Sequence, residues 1–196
     1  MTITFYGGAK TVTGSNYLLD SGGIKILVDC GLYQGHKYSE DFNYEKFAYN
    51  PAEINFVFIT HSHTDHTGRL PKLFKEGFRG KVFASKPTLA LISKALPDNL
   101  NLIIEEAEKD SHEPLFKLKD LEGVLELSEG FDYEVPIDLG GGIKAVLHDA
   151  GHILGSSIVE ISFDGKKLYF TGDLGNPPPP LLPPPHFPKD ADYAVV

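Results

Sequence analysis

Ile54-Asn55-Phe56-Val57-Phe58-Ile59-Thr60 runs directly into His61-Ser62-His63-Thr64-Asp65-His66. The first part is a nearly continuous apolar run. Its length and β-branched content suit a strand buried on both faces. The second part places three imidazoles and a carboxylate within six residues, a crowd that is costly to pack unless a cation is present. In an extended segment His61 and His63 point the same way and can grip one metal ion. Asp65 and His66 are adjacent, where the chain turns toward the next helix, and reach a different point. The spacing suggests two neighbouring metal positions. With no cysteine cluster, these hard and borderline ligands favour zinc, with manganese or iron as alternatives. A solvated histidine-rich loop is the bland reading, and the ligands found elsewhere in the chain argue against it.

Those ligands are His152, in Gly151-His152-Ile153-Leu154-Gly155-Ser156, and Asp173, in Thr171-Gly172-Asp173. Each follows a strand pattern, 143–148 and 166–171, as Asp29 follows 24–28. Four polar turns after four strands can gather all these groups at one edge of a fold. A carboxylate has two oxygens, so Asp173 suits a bridge between two metals. Asp29 suits the outer shell, orienting a ligand histidine through a hydrogen bond. Ser15 and Ser156 lie in glycine-rich loops and are candidate phosphate contacts, although turn geometry alone also accounts for them.

Further out, residues 2–6 and 16–20 read as strands, Leu70–Lys75 as a short helix ended by Gly77, and Lys81–Ser85 as a strand. Pro87 to about Asp110 is helical in pattern but broken near Pro97-Asp98, where Asp98 suits a cap. Leu118–Leu127 reads as an amphipathic helix, and 131–137, 143–148, 157–163 and 166–171 as strands. Asp164-Gly165 suits a hairpin turn. The stretch 177–188 is proline-rich, with seven prolines in the nine residues 177–185. It reads as a stiff extended connection within one domain, 1–196, or as a docking sequence for a proline-reading partner. Asp192–Val196 begins a further strand. His36, His112 and His186 read as isolated surface residues, and His148 as a residue of a strand face rather than a ligand. Cys30 reads as a small, partly buried side chain.

The chain has 196 residues with 41% hydrophobic and 23% charged, which suits a globular domain. No apolar run reaches the roughly 18 residues of a membrane helix, so no membrane contact is expected. Nor does a secretory leader stand out at the N-terminus. A single cysteine excludes an internal disulfide and suggests a reducing, cytoplasmic setting. Eighteen basic against 27 acidic residues, net −9, disfavour a broad nucleic-acid-binding surface.

In their order, His61-x-His63-x-Asp65-His66, His152 and Asp173 resemble the metallo-β-lactamase superfamily, whose fold is an α/β sandwich of αββα layers. The resemblance narrows to its β-CASP ribonuclease branch of RNA-processing endonucleases and 5′-exonucleases. The residues that narrow it are 8–15 (Gly-Ala-Lys-Thr-Val-Thr-Gly-Ser), 28–35 (Val-Asp-Cys-Gly-Leu-Tyr-Gln-Gly), 151–156 and 192–196. The resemblance implies that His61, His63 and His152 hold one zinc, Asp65 and His66 a second, and that Asp173 bridges them. It also implies a hydroxide between the metals as nucleophile and RNA as substrate. Two divalent ions, offset by Asp65, Asp173 and that hydroxide, leave the centre about +1, which softens the objection from the acidic surface.

The family continues past a segment like 192–196 with an acidic motif, the β-CASP insertion and a closing lactamase segment that carries two more functional histidines. The resemblance therefore implies a sandwich without insertion or closing segment. The first zinc site is then near complete and the second weaker. Impaired turnover is expected, with self-association through an exposed C-terminal edge near Asp192–Val196 and the proline run. Two other functions fit the same residues: hydrolysis of a small ester, thioester or lactone, and metal binding without turnover.

Overall fold

The computed structural model describes residues 1–35, 40–109, 111–176, 182–186 and 190–196. β1 (Thr2–Gly7), β2 (Asn16–Ser21) and β3 (Ile24–Val28) form an antiparallel meander. β4 (Phe56–Phe58), β5 (Lys81–Ser85) and β6 (Ser128–Phe131) then add in parallel, one beside the next. Parallel neighbours need long crossovers. α1 (Thr64–Thr67) and α2 (Leu70–Lys75) serve between β4 and β5, and α3 (Lys86–Lys109) and α4 (Leu118–Glu126) between β5 and β6. A second sheet contains β7 (Ile137–Gly140), β8 (Ile143–Asp149), β9 (Ser157–Phe163) and β10 (Lys166–Phe170), all antiparallel, with β11 (Tyr193–Val195) parallel to β10.

Side-chain alternation decides which residue joins which layer. Leu19, Ile26, Val28, Phe58 and Phe83 point into the space between the sheets, against Ala145, Leu147, Val159, Ile161 and Phe170. Their neighbours Leu18, Leu27, Val57 and Val82 point the other way, onto Leu73, Ile92, Leu96 and Leu121 of the helices. The reading of 54–60 as doubly buried holds at its centre, where Val57 faces helices, Phe58 faces the second sheet, and both are 0% exposed. A slip of one residue would exchange these two cores, so the register is strongly fixed. Among the described residues, helices cover only the first sheet.

Three local expectations are corrected. Pro97 does not break the helix: α3 is continuous through it. Proline there removes one hydrogen bond and costs about 3 kcal/mol. Leu96 and Leu100 on either side join Ile92 and Ile103 in the same core, and that shared burial offsets the loss. Nor does 131–137 form a strand. β6 ends at Phe131 and β7 begins at Ile137, with Glu134 between them in the left-handed region at φ 61° and Pro136 unable to donate to a ladder. Finally, the strand within 54–60 is only Phe56–Phe58, because the chain leaves the sheet to build the turn described below. The Asp164-Gly165 hairpin is as expected: both residues have positive φ, 47° and 72°, the type I′ pattern. Of the proline run, 177–181 lies outside the described residues, as does His36.

Cys30 is wholly rather than partly buried, and burial pushes its thiol up to about 12. Since the thiolate is the reactive form, Cys30 in the folded chain should be nearly inert to a disulfide reagent at neutral pH and should label fully in denaturant. Brisk labelling without denaturant would contradict this placement.

Candidate metal centre

β3 ends at Val28, and Asp29 takes a left-handed backbone at φ 59°, a conformation uncommon outside glycine. That bend turns its carboxylate under the end of β4. Its Oδ1 accepts the Thr60 N–H at 2.8 Å, the Thr60 hydroxyl lies 2.9 Å from Oδ2, and Oδ2 lies 2.7 Å from Nδ1 of His66. The next residues lace the loop to the histidine turn: Cys30 N–H donates to the His66 carbonyl at 2.8 Å and Leu32 N–H to that of Thr64 at 3.0 Å. Gly31 passes so close that a Cβ there would sit 1.5 Å from the Asp65 carbonyl oxygen. Only glycine fits this crossing.

This lacing aims the side chains of the histidine turn at one point. His61 Nε2 lies 3.0 Å from His63 Nδ1, and His63 Nδ1 lies 3.4 Å from His152 Nε2. Asp173 Oδ2 lies 3.8 Å from His61 Nε2 and 3.6 Å from His152 Nε2. These four donor atoms all fall within 4.8 Å of one another. A tetrahedral ion with ligands at 2.0–2.1 Å needs edges of about 3.3 Å, so the group fits such an ion after small adjustments. The other Asp173 oxygen, Oδ1, lies 3.4 Å from His66 Nε2, which in turn is 3.7 Å from Asp65 Oδ2. One carboxylate thus faces two sets of donors with different oxygens.

The outer contacts orient the rings. Thr60 Oγ1 is 3.1 Å from His61 Nδ1. If that nitrogen carries the proton, His61 donates to Thr60, Thr60 donates to Asp29, and Nε2 keeps its lone pair for a cation. His66, also bound to Asp29 through Nδ1, likewise turns Nε2 toward Asp173. A single buried carboxylate therefore positions two histidines. His152 is held differently: Ser156 Oγ accepts its backbone N–H at 3.0 Å and that of Ile153 at 3.3 Å. Ser156 is 0% exposed, so it shapes the loop from within and has no face open to a phosphate, while Ser15, 4% exposed, donates its N–H to the Asp65 carbonyl at 3.0 Å. A cleft of about 170 Å³ beside the centre is bordered by Ser15, Tyr17, Thr60, His66 and Asp173.

The charges are unevenly shared. Burial, with the neighbouring His66 charge, pushes His61 down to about 3. Burial opposes a charge on His66 as well, but the Asp29 carboxylate and the hydrogen bonds with Asp173 and Asp29 outweigh it and raise His66 to about 10. Hydrogen bonding to His66 in turn draws Asp173 down to about 2. Burial lowers His152. His61 and His152 thus stay neutral beside an ionised Asp173 carboxylate, the donor chemistry of a divalent cation site, while His66 holds a proton that an incoming ion would have to displace.

A family model described as the metallo-beta-lactamase superfamily matches residues 10–195. The chain belongs to that superfamily. Ribonuclease TTHA0252 of Thermus thermophilus is 39% identical over 196 residues, all of this chain and 43% of that protein. Transcription termination factor FttA of Methanosarcina mazei is 36% identical over 178 residues, 87% of this chain and 27% of that factor. This superfamily member therefore spans less than half the length of these curated relatives. Their names agree with the β-CASP, RNA-processing resemblance of the sequence motifs. In fold, the chain is similar to a Cronobacter sakazakii metallo-beta-lactamase, a HARLDQ motif mutant, with TM-score 0.56 at 20% identity over 86% of this chain and 60% of that one. It is also similar to an Enterococcus faecalis protein of unknown function, with TM-score 0.58 at 20% identity, over 88% and 43% of the two chains. No helix among the described residues is long and apolar enough to cross a membrane.

The sequence pattern named every member of the cluster except Thr60, which reads as the last residue of an apolar run. The signal was its position, a hydroxyl between a buried strand and the first histidine. Two histidines are surface residues, as expected, yet have ring partners. His186 is exposed but not isolated, since its ring stacks on that of His148 at 5.0 Å. His112 is exposed, as expected, and meets the Tyr44 ring at 4.4 Å.

Proposed function

We propose that this chain carries the two-metal centre of a zinc-dependent phosphodiesterase that acts on RNA. The observation that carries this reading is the Asp173 carboxylate, with Oδ2 toward His61 and His152 and Oδ1 toward His66. His61, His63, His152 and Asp173 would hold one ion, and Asp65, His66 and Asp173 the other. Bound there, the ions supply Lewis acidity toward a phosphoryl group and ionise water near neutral pH. Asp29 and Thr60 hold the His61 and His66 rings on target. His63 and Asp173 are exposed while His61 and His66 are buried, so the centre is anchored on its inner side and open on its outer side to a polymer. Relatives named as a ribonuclease and as transcription termination factors support RNA over a small ester. A cytoplasmic setting suits this substrate.

Fold alone does not choose a substrate, so the test compares two. Metal-loaded protein should cleave single-stranded RNA faster than it hydrolyses a thioester or lactone, and a chelator should stop the cleavage. Preferential hydrolysis of the thioester or lactone, or RNA cleavage indifferent to chelator, would overturn the proposal.

A further inference from the structure

The outer face of the second sheet gathers side chains that the centre above does not use. Strand alternation sends Leu147, Val159 and Phe170 inward, so His148 of β8, Glu160 of β9 and Tyr169 of β10 turn outward together. His148 is 6% exposed, Glu160 7% and Tyr169 3%, a polar group buried where no helix among the described residues covers the sheet. Glu160 is fully engaged: Tyr169 donates its hydroxyl to Oε2 at 2.6 Å, Ser162 donates to Oε1 at 2.8 Å, and His148 Nε2 lies 3.0 Å from Oε2. Burial opposes the charge on Glu160, but these hydrogen bonds outweigh it and hold the carboxyl below its usual range.

With Nε2 committed to Glu160, the opposite nitrogen of His148 faces outward. Its Nδ1 lies 2.9 Å from Glu134 Oε1. The His186 ring stacks over it, inclined by 11°, and the His186 N–H donates to the Asp149 carbonyl at 2.8 Å. One donor atom from each of Glu134, His148 and His186 falls within 4.8 Å of the others. Glu134 reaches this position from a left-handed backbone at φ 61°, with its N–H on the Leu147 carbonyl at 2.9 Å. A non-glycine residue persists in that region where its surroundings over-determine it, and such residues cluster at functional sites.

We propose that Glu134, His148 and His186 form a second binding site for a divalent transition metal, separate from the first, which fastens the segment around His186 to the second sheet. Two imidazoles and a carboxylate are the donor set of zinc-class cations. Glu160 stands to His148 as Asp29 stands to His66: a buried carboxylate fixes one ring nitrogen and leaves the other for the ion. Water completes the coordination on the exposed side. The same segment also packs beside the His152 loop, where a Cβ on Gly151 would meet the Pro183 carbonyl at 2.7 Å. An ion here therefore steadies the backbone next to a residue of the main centre.

Cobalt(II) titration of the metal-free chain, followed through individual imidazole resonances, tests this without reference to turnover. The rings of His148 and His186 should respond in the wild-type chain. Glu134→Gln and His186→Ala change exposed side chains, so the fold should persist, as circular dichroism would verify. In both variants the His148 response should be lost while those of His61, His63 and His152 remain. A His148 ring indifferent to cobalt in the wild-type chain, or equally responsive in the variants, would overturn the proposal. His148 would then be an imidazole clamped between two carboxylates and nothing more. Because each ring is read by itself, failure of the main centre to take up metal would not be mistaken for failure here.

Discussion

Replacing Asp173 by alanine should disable both halves of the main centre while leaving the fold intact. The side chain is 47% exposed, so its removal opens no cavity, and buried His66, which loses this partner at Nε2, keeps Asp29 at Nδ1. What it removes is, among the described residues, the carboxylate that faces both donor sets. The position at Asp65 and His66 keeps two of its three protein donors among the described residues and should no longer hold an ion. The position at His61, His63 and His152 should weaken beyond the roughly 10- to 100-fold expected when a merely orienting partner is lost. Hydrolysis, if carried by this centre, should fall by about three orders of magnitude, since Lewis-acid stabilisation supplies several kcal/mol and each 1.36 kcal/mol is tenfold. Metal titration followed through the His61, His66 and His152 resonances checks the binding part. Unaltered responses at all three would show that Asp173 bridges nothing.

Asp29 should behave differently, because it is 0% exposed and serves the fold and the site together. Asp29→Ala strips the acceptor from the Thr60 N–H, the Thr60 hydroxyl and His66. Breaking such a buried charged network costs about 3–5 kcal/mol, equivalent to roughly 10 °C in melting temperature for a chain of this size. From the sequence alone, Asp29 reads as an orienting residue whose loss weakens metal binding without unfolding the chain. Its burial and its hold on Thr60 change that expectation. Asp29→Asn separates the two roles: asparagine tolerates the left-handed backbone and keeps an oxygen for Thr60 but lacks the charge that steadies His66. It should melt close to the wild type and still bind metal about 10- to 100-fold more weakly. Equal melting temperatures for all three proteins would mean that Asp29 does not anchor Thr60.

The main cluster is legible in the sequence because imidazoles and carboxylates crowded at strand ends are chemically conspicuous. His61, His63, Asp65, His66, His152 and Asp173 each stand out by residue type and follow or flank an apolar run. The layering was legible for a similar reason: the alternation of Leu18 with Leu19 and of Val57 with Phe58 is forced by the pleat. What escaped depends on contacts between distant segments. Pro97 carries a strong local signal, overruled by the burial of Leu96 and Leu100. The turn at Glu134 was read as part of a strand because its positive φ is set by the Leu147 carbonyl, a partner on another strand. His148 and His186 lie 38 positions apart, and neither has a neighbour in sequence to betray the other. Thr60 is inconspicuous by type and acquires its role only because Asp29 arrives beneath it.

The most direct test is anomalous diffraction from crystals of the metal-loaded chain, with data collected on both sides of the zinc absorption edge. The account predicts two anomalous peaks about 4 Å apart, one among His61, His63, His152 and Asp173, the other against Asp65 and His66, with the Asp173 carboxylate between them. A single peak bound by all the ligands together, or peaks that leave Asp173 uncoordinated, would contradict it.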